Sequence, residues 1–332
     1  MTTPLSNSLH HADISTTLHP YTDARKHEAQ GPLVIDRGEG IYVYDSTGKQ
    51  YIEGLAGLWS VAVGFSQPRL REAAARQMDK LPYYHTFAHK AHEPSIKLAE
   101  KLVEMTPENL TRVFYTSSGS EANDTVVKMV WYMNNALGRP EKKKFLARIK
   151  GYHGITVASG SLTGLPYNHM SFDLPAIPVT HVTCPHFYRF GAEGETEAQF
   201  TARLLAEIEE TILREGPDTI AAFIGEPLMA AGGVMPPPEG YWPGVEKICR
   251  KYDILMVADE VINGFGRLGS SFGAVHYGFS PDIMVTSKQL TSSYMPLAAI
   301  MFSEAIYNVI ADHTHSIGTF GHGFTASGHP VA

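Results

Sequence analysis

The residues able to do chemistry each follow an apolar run. Lys288 comes after 283–286, Asp259 after 254–258, Glu226 after 220–224, Ser118-Gly119-Ser120-Glu121 after 112–116, and Tyr152-His153 after 144–149. A lysine at the end of a buried strand is rare unless it is paired or chemically employed. A carboxylate at such a depth needs a partner, because burying it alone is too costly. Ser118 and Glu121 have the S-x-x-E spacing of a helix start, whose free N–H groups attract anions. Gly151 and Gly154 flank Tyr152 and His153; the glycines let backbone approach a ligand and the aromatic offers a stacking face. Each feature alone has a bland explanation: a capped helix, a tight turn, a salt bridge. Gathered in one pocket they make an anion cradle, a stacking ring, two carboxylates and a lysine. Pyridoxal phosphate needs that set: a helix terminus for the phosphate, a ring sandwich, an Asp for the ring nitrogen and a Lys for the covalent link.

Positioning these residues requires elements that end at one edge. The five apolar runs alternate with helices expected at 120–137, 198–215 and 241–251. In the first, Ala122, Val126, Val130, Met133 and Leu137 share a face, and Gly138 and Pro140 stop it. Met129 and Trp131 read as packing on the same helix. In the second, Phe200, Leu204, Ile208 and Ile212 are in register. Strands alternating with helices predict an α/β fold with a mostly parallel, doubly wound sheet. Ligands of such sheets sit at the carboxyl ends of the strands. Upstream, Ile41 to Tyr44, the turn residues Asp45 to Gly48, and Tyr51-Ile52 predict a hairpin. Leu70, Ala74, Met78 and Leu81 have helical spacing after Pro68, and residues 1–35 read as a polar arm. The expected division is an N-terminal arm and small α+β element at 1–65 and a large ligand-binding domain at 66–332.

Composition sets the outer limits. The 332 residues carry a net charge of −7, with 43% apolar and 18% charged residues, a globular balance. No basic stripe for nucleic acid is expected. Cys184 and Cys249 make no disulfide framework. Residues 1–15 lack the basic-then-apolar order of a signal peptide, and no apolar run suits a membrane span. The expectation is therefore a cytoplasmic protein without nucleic-acid or membrane partners. Two motifs compete. Gly269 to Gly273 fits G-x-S-x-G, but a hydrolase elbow needs a strand before it and a helix after it, and neither is read there. His85, His89 and His92 have ligand-like spacing, yet no HExxH is present and Pro94 follows; no metal is expected. Neither a Walker A sequence nor a full Rossmann fingerprint occurs.

The runs Ser118 to Asp124, Gly151 to Gly154, Asp259 to Arg267, Ser287-Lys288 and His322 to Pro330 together resemble the class III aminotransferases, which are fold-type I pyridoxal-phosphate enzymes. The likeness extends from about Ile41 to the end of the chain. It implies that Lys288 carries the cofactor and that Asp259 pairs with the ring nitrogen. Tyr152 and Val261 would enclose the ring. Ser118, Gly119 and Ser120 would hold the phosphate, with His153 and Glu226 beside the cofactor. Thr325 would reach the phosphate of a neighbouring subunit, which implies a homodimer with shared sites, or a tetramer built from it. Gly57 to Val61 and Tyr84 to Phe87 are similar to the pyruvate-dependent ω-aminotransferases rather than the ornithine or γ-aminobutyrate types. By that likeness Tyr21, Leu58, Trp59, Phe87, Tyr152 and Ile155 would line an apolar substrate pocket. The implied reaction moves an amino group from an amine or ω-amino acid to pyruvate, giving an aldehyde or ketone and alanine, with S-selectivity. An aminomutase or racemase of the same fold, or a fragment that only binds, is the alternative. Gln289 departs from the glycine common in the family. The family continues into a C-terminal small domain that supplies an arginine for the substrate carboxylate, so a chain ending at Ala332 is expected to be truncated.

Overall fold

The computed structural model describes residues 8–332; the first seven residues of the expected arm lie outside the described residues. Two compact units are present, one running to Arg71 and the other Glu72–Ala332.

The first unit begins with two short helices. Helix α1 (Leu9–Thr16) is capped by Ser8, whose hydroxyl accepts from His11 N–H, and α2 (Ala24–Gln30) by the Asp23 carboxylate. Neither helix buries a residue. Next comes an antiparallel sheet of β1 (Ile35–Glu39), β2 (Tyr42–Asp45) and β3 (Gln50–Ile52). The expected hairpin is β2–β3, with Tyr42 opposite Ile52 and Val43 opposite Tyr51. Its turn is organised by Asp45, which accepts from Thr47 N–H, the Thr47 hydroxyl, Lys49 N–H and the Tyr51 hydroxyl. The Thr47 and Tyr51 hydroxyls hold this carboxyl down at about 2. Strand β1 was not foreseen, because Asp36, Arg37 and Glu39 hide its alternation. Helix α3 (Ala56–Trp59) is broken internally, with Gly57 at φ 71° and Leu58 at φ −142°. The chain then enters α4 (Pro68–Lys80), the helix expected after Pro68.

In the second unit the chain alternates as predicted. Helix α5 (Glu93–Met105) precedes β4 (Leu110–Thr116), α6 (Gly119–Ala136), β5 (Lys144–Arg148), α7 (Val157–Leu162), β6 (Val179–Val182), α8 (Phe187–Phe190), α9 (Glu197–Glu215), β7 (Ile220–Gly225), α10 (Tyr241–Lys251), β8 (Leu255–Asp259), α11 (Gly273–Tyr277), β9 (Ile283–Thr286), β10 (Ala298–Ser303) and α12 (Glu304–Ile317). The sheet order is β4-β10-β9-β8-β7-β5-β6. Pairs β9–β8, β8–β7, β7–β5 and β5–β6 are parallel. Strand β10 runs antiparallel to both β9 and β4, so the sheet is mixed but mostly parallel.

Both faces are covered, as side-chain alternation requires. Along β9, Met284 enters one core, and Ile283 and Val285 enter the other. Along β10, Ala299 and Met301 enter the first, and Ala298, Ile300 and Phe302 the second. The first core takes Phe200, Leu204 and Ile208 from α9 and Trp242 from α10; the second takes Val126 and Val130 from α6 and Ile306 from α12. Strands β6 and β10 add to the five read from sequence. The short, half-exposed β6 has no apolar run, and β10 follows a stretch of turn residues that masks its start. A short helix, α11, does follow Gly269 to Gly273, contrary to expectation, but glycine-rich turns rather than a strand precede it. His85 and His89 lie outside any helix, and His92 caps α5 by accepting from Ser95 N–H. No described helix is long and apolar enough to cross a membrane.

Candidate active site

The carboxyl ends of β4, β5, β7, β8 and β9 meet around one cleft. It is lined by Ser118, Gly119, Ser120, Asn123, Tyr152, His153, Gly154, Glu226, Asp259, Val261, Ile262, Ser287 and Lys288. Of the residues expected at a cofactor, all but Thr325 line it.

One wall is the start of α6. Ser118 Oγ accepts from Glu121 N–H at 3.2 Å, while the Glu121 carboxylate reaches past the cap residue to Ser117 N–H at 2.8 Å. The box is thus closed one residue further out than its spacing implies. Gly119 and Ser120 N–H have no protein acceptor among the described residues, leaving two donors and the helix dipole for an anion. A Cβ at Gly119 would lie 3.1 Å from a Val261 methyl group, so a side chain there would narrow the cradle. Gly154, at φ 135°, comes so close to α6 that a Cβ would lie 2.6 Å from Ser120 Oγ. Ser120 Oγ also accepts from Ile155 N–H at 3.2 Å.

At the floor lies a buried polar network. Asp259 Oδ2 is 2.8 Å from His153 Nδ1 and accepts from Asn123 Nδ2 at 2.9 Å, and its Oδ1 accepts from Val261 N–H at 3.2 Å. Asn123 Nδ2 also donates to the His153 carbonyl at 2.6 Å. The side-chain partners of Asp259 are therefore a histidine and an amide. Glu226 is satisfied by backbone: its carboxylate accepts from Tyr152 N–H and from Ala230 N–H, each at 3.0 Å. Burial pushes its carboxyl up, and the nearby Asp259 charge adds to this.

Lys288 closes the cleft. It sits at φ 34°, a left-handed conformation that costs energy for a side-chain-bearing residue. Its neighbours hold it there. Ser287 Oγ donates to the Leu297 carbonyl, and Gln289 Nε2 donates to the carbonyls of Ile262 and Gly264 at 2.9 and 3.0 Å. The departure at Gln289 therefore ties the lysine turn to the glycine-rich turn after β8. Lys288 Nζ has no hydrogen bond or ion pair among the described residues. Burial lowers its pKa below the usual lysine value; Asp259 and Glu226 oppose this, and Arg267 adds to it.

Three supporting residues escaped sequence reasoning. Asn123 is a polar residue among the apolar positions of α6, which is the signal that could have found it. Fully buried Arg148 donates to the Glu226 carbonyl and lies 5.0 Å from the Trp242 ring; like Glu226, it is a charge ending an apolar strand. Asp124 accepts from Thr156 Oγ1 at 2.6 Å and Ser159 N–H at 2.7 Å, fixing α7 beside α6.

Glu260, next to Asp259, is buried with its carboxylate on Gly273 N–H at 2.8 Å and Ala274 N–H at 2.6 Å. Burial raises it to about 7, the two N–H donors only partly offsetting that. Between the unfolded value of 4.5 and about 7 the folded chain holds a proton the unfolded chain has lost. Stability from this group is full below pH 4.5 and is lost as pH rises through 7. Urea unfolding of wild type should therefore fall against Glu260→Gln by about 1–3 kcal/mol between pH 5 and 8. A pH-independent difference would remove this linkage.

Phe87, Ile155 and Thr325, also in the second unit, are not among the residues lining this cleft. Phe87 packs on Gly323 and lines a separate hollow with His322 and Phe324. Ile155 is exposed beside the cleft, and Thr325 is exposed, its carbonyl accepting from the Tyr83 hydroxyl at 2.6 Å. Tyr21, Leu58 and Trp59 belong to the first unit, the first two exposed and Trp59 half-buried.

Residues 23–332 match the family described as Aminotransferase class-III. The chain belongs to that family. The ω transaminase of Pseudomonas jessenii, solved in complex with PMP, is 62% identical with a TM-score of 0.97, covering 98% of this chain and 72% of its own. A transaminase solved with L-ala is 61% identical with a TM-score of 0.89, covering 90% and 70%. Gamma-aminobutyrate transaminase 1, mitochondrial, of Oryza sativa subsp. indica is 55% identical over 316 residues, 95% of this chain and 61% of that protein. The chain thus spans 61% of the length of this curated relative. Class III aminotransferases use pyridoxal phosphate, and the cleft fits it: free N–H donors at α6, a glycine at the cradle, a buried carboxylate and an unpaired lysine.

Proposed function

We propose that the protein transfers an amino group from an amine or ω-amino acid to pyruvate, forming an aldehyde or ketone and alanine. The observation that carries this reading is the desolvated, unpaired Lys288 sharing a cleft with the buried Asp259. Pyridoxal phosphate, when bound, would supply the electron sink for negative charge at the carbon that loses its proton. Gly119 and Ser120 N–H would bind the phosphate, and Tyr152 and Val261 would flank the ring. Asp259, oriented by Asn123, His153 and Val261 N–H, would accept a hydrogen bond from the protonated ring nitrogen. Lys288 Nζ, biased toward its neutral form by burial, would take up and return the proton. The likeness to a transaminase solved with L-ala favours pyruvate as acceptor. A second donor reading, γ-aminobutyrate, is favoured by the rice relative. A homodimer in the cytoplasm, with Thr325 serving its neighbour, completes the proposal.

The test supplies pyruvate with either 1-phenylethylamine or γ-aminobutyrate and follows alanine. Alanine with one donor supports transamination and selects the donor. An amino shift within the substrate, without alanine, would favour a mutase or racemase. Borohydride reduction and peptide mapping of the cofactor-incubated protein should place a phosphopyridoxyl adduct on Lys288; an adduct on another residue would overturn the site.

A further inference from the structure

Helices α1 and α2 pose a physical problem. They have 8 and 7 residues and bury none of them. Helices below about 12 residues are marginal without tertiary support, so burial of an apolar face does not hold these two. What joins them is polar. Asp13 of α1 meets His19, in the connecting segment, and His27 of α2. Both imidazoles turn Nε2 to the same carboxylate oxygen, at 2.9 and 2.8 Å. Their rings lie 4.1 Å apart at 38°. The three side chains are only 22%, 32% and 13% exposed, in a stretch otherwise mostly open to solvent.

We propose that Asp13, His19 and His27 form a structural site for a divalent transition-metal ion of the zinc class. Their ligand atoms lie within 4.8 Å of one another. Two imidazoles and a carboxylate suit zinc, cobalt or nickel, with water completing the shell. Metal–ligand bonds of about 2.0–2.2 Å require ligand atoms roughly 3.3 Å apart. The two Asp–His pairs meet this by opening about half an ångström, and the two imidazole nitrogens lie within 4.8 Å of each other. The spacing serves a staple: one ligand on each helix and one on the connector, so that a single ion fixes all three segments. Ordering that segment with the ion turns binding free energy into local stability.

The test uses the whole protein after chelator treatment. Zinc is titrated calorimetrically and cobalt by visible absorption, with proteolysis of residues 9–30 followed in parallel. One zinc per chain is expected, with protection of that segment. His19→Ala and His27→Ala should each weaken binding by at least about tenfold and abolish the protection, whereas His11→Ala, an exposed neighbour, should change neither. Retention of cofactor labelling at Lys288 in the variants shows that the rest of the chain is folded. Absence of stoichiometric zinc, or zinc binding in both alanine variants as tight as in the wild type, overturns the proposal and leaves a hydrogen-bonded cluster.

Discussion

Lys288→Ala is expected to abolish transamination and to leave no cofactor adduct at position 288 after borohydride reduction. Loss of a positioned proton carrier alone costs about 10²–10⁴ in rate, and the covalent anchor goes with it. The effect rests on placement. The backbone is held at φ 34° between the Ser287 hydroxyl bond and the two Gln289 amide bonds, so no neighbouring residue can substitute. Lys288→Arg separates charge from proton transfer. Arginine keeps the cation but does not become neutral in a protein, so it should be as inactive as alanine. Residual turnover near wild type in either variant would remove Lys288 from the mechanism.

Asp259→Asn should lower turnover by about 10²–10³, the scale of losing one preorganised electrostatic group, while the Lys288 adduct still forms. The amide carries no negative charge for the ring nitrogen. Either orientation also sets an NH₂ group against existing donors, because His153 and Asn123 meet Oδ2 and Val261 N–H meets Oδ1. A buried donor left facing a donor costs about 1–3 kcal/mol, so the melting temperature should fall as well. Unchanged turnover with intact labelling would strip Asp259 of its role. Lost labelling would move that role to cofactor binding.

Several residues that line the cleft were legible because charges at the ends of apolar strands are conspicuous. Glu226, Asp259 and Lys288 each break a buried run, and burying such a group alone is costly enough to demand a reason. The same signal at Arg148 went unread, since β5 opens with a charged lysine and looks less apolar. Asn123 was hidden by its helix, where one polar residue among Ala122, Val126 and Val130 does not disturb the period. The edge strand β6 lacked an apolar run. The orientation of β10 was invisible, because a buried strand reads the same in either direction.

What the sequence determined alone was local: the alternation of strand and helix, the Ser118 cap, and which residue ends each strand. These follow from periodicity and short-range hydrogen bonding, which act over a few residues. The tertiary structure decided who meets whom. His153 and Asp259 are 106 positions apart and Asn123 and Asp259 are 136 apart, yet they converge because only β7 separates β5 from β8 in the sheet and α6 packs across β7 and β9. Hydrophobic burial drives the strands inside but is non-directional and roughly proportional to area. It names the buried residues without naming their neighbours, and strand order, set by the packing of the whole sheet, supplies the partners.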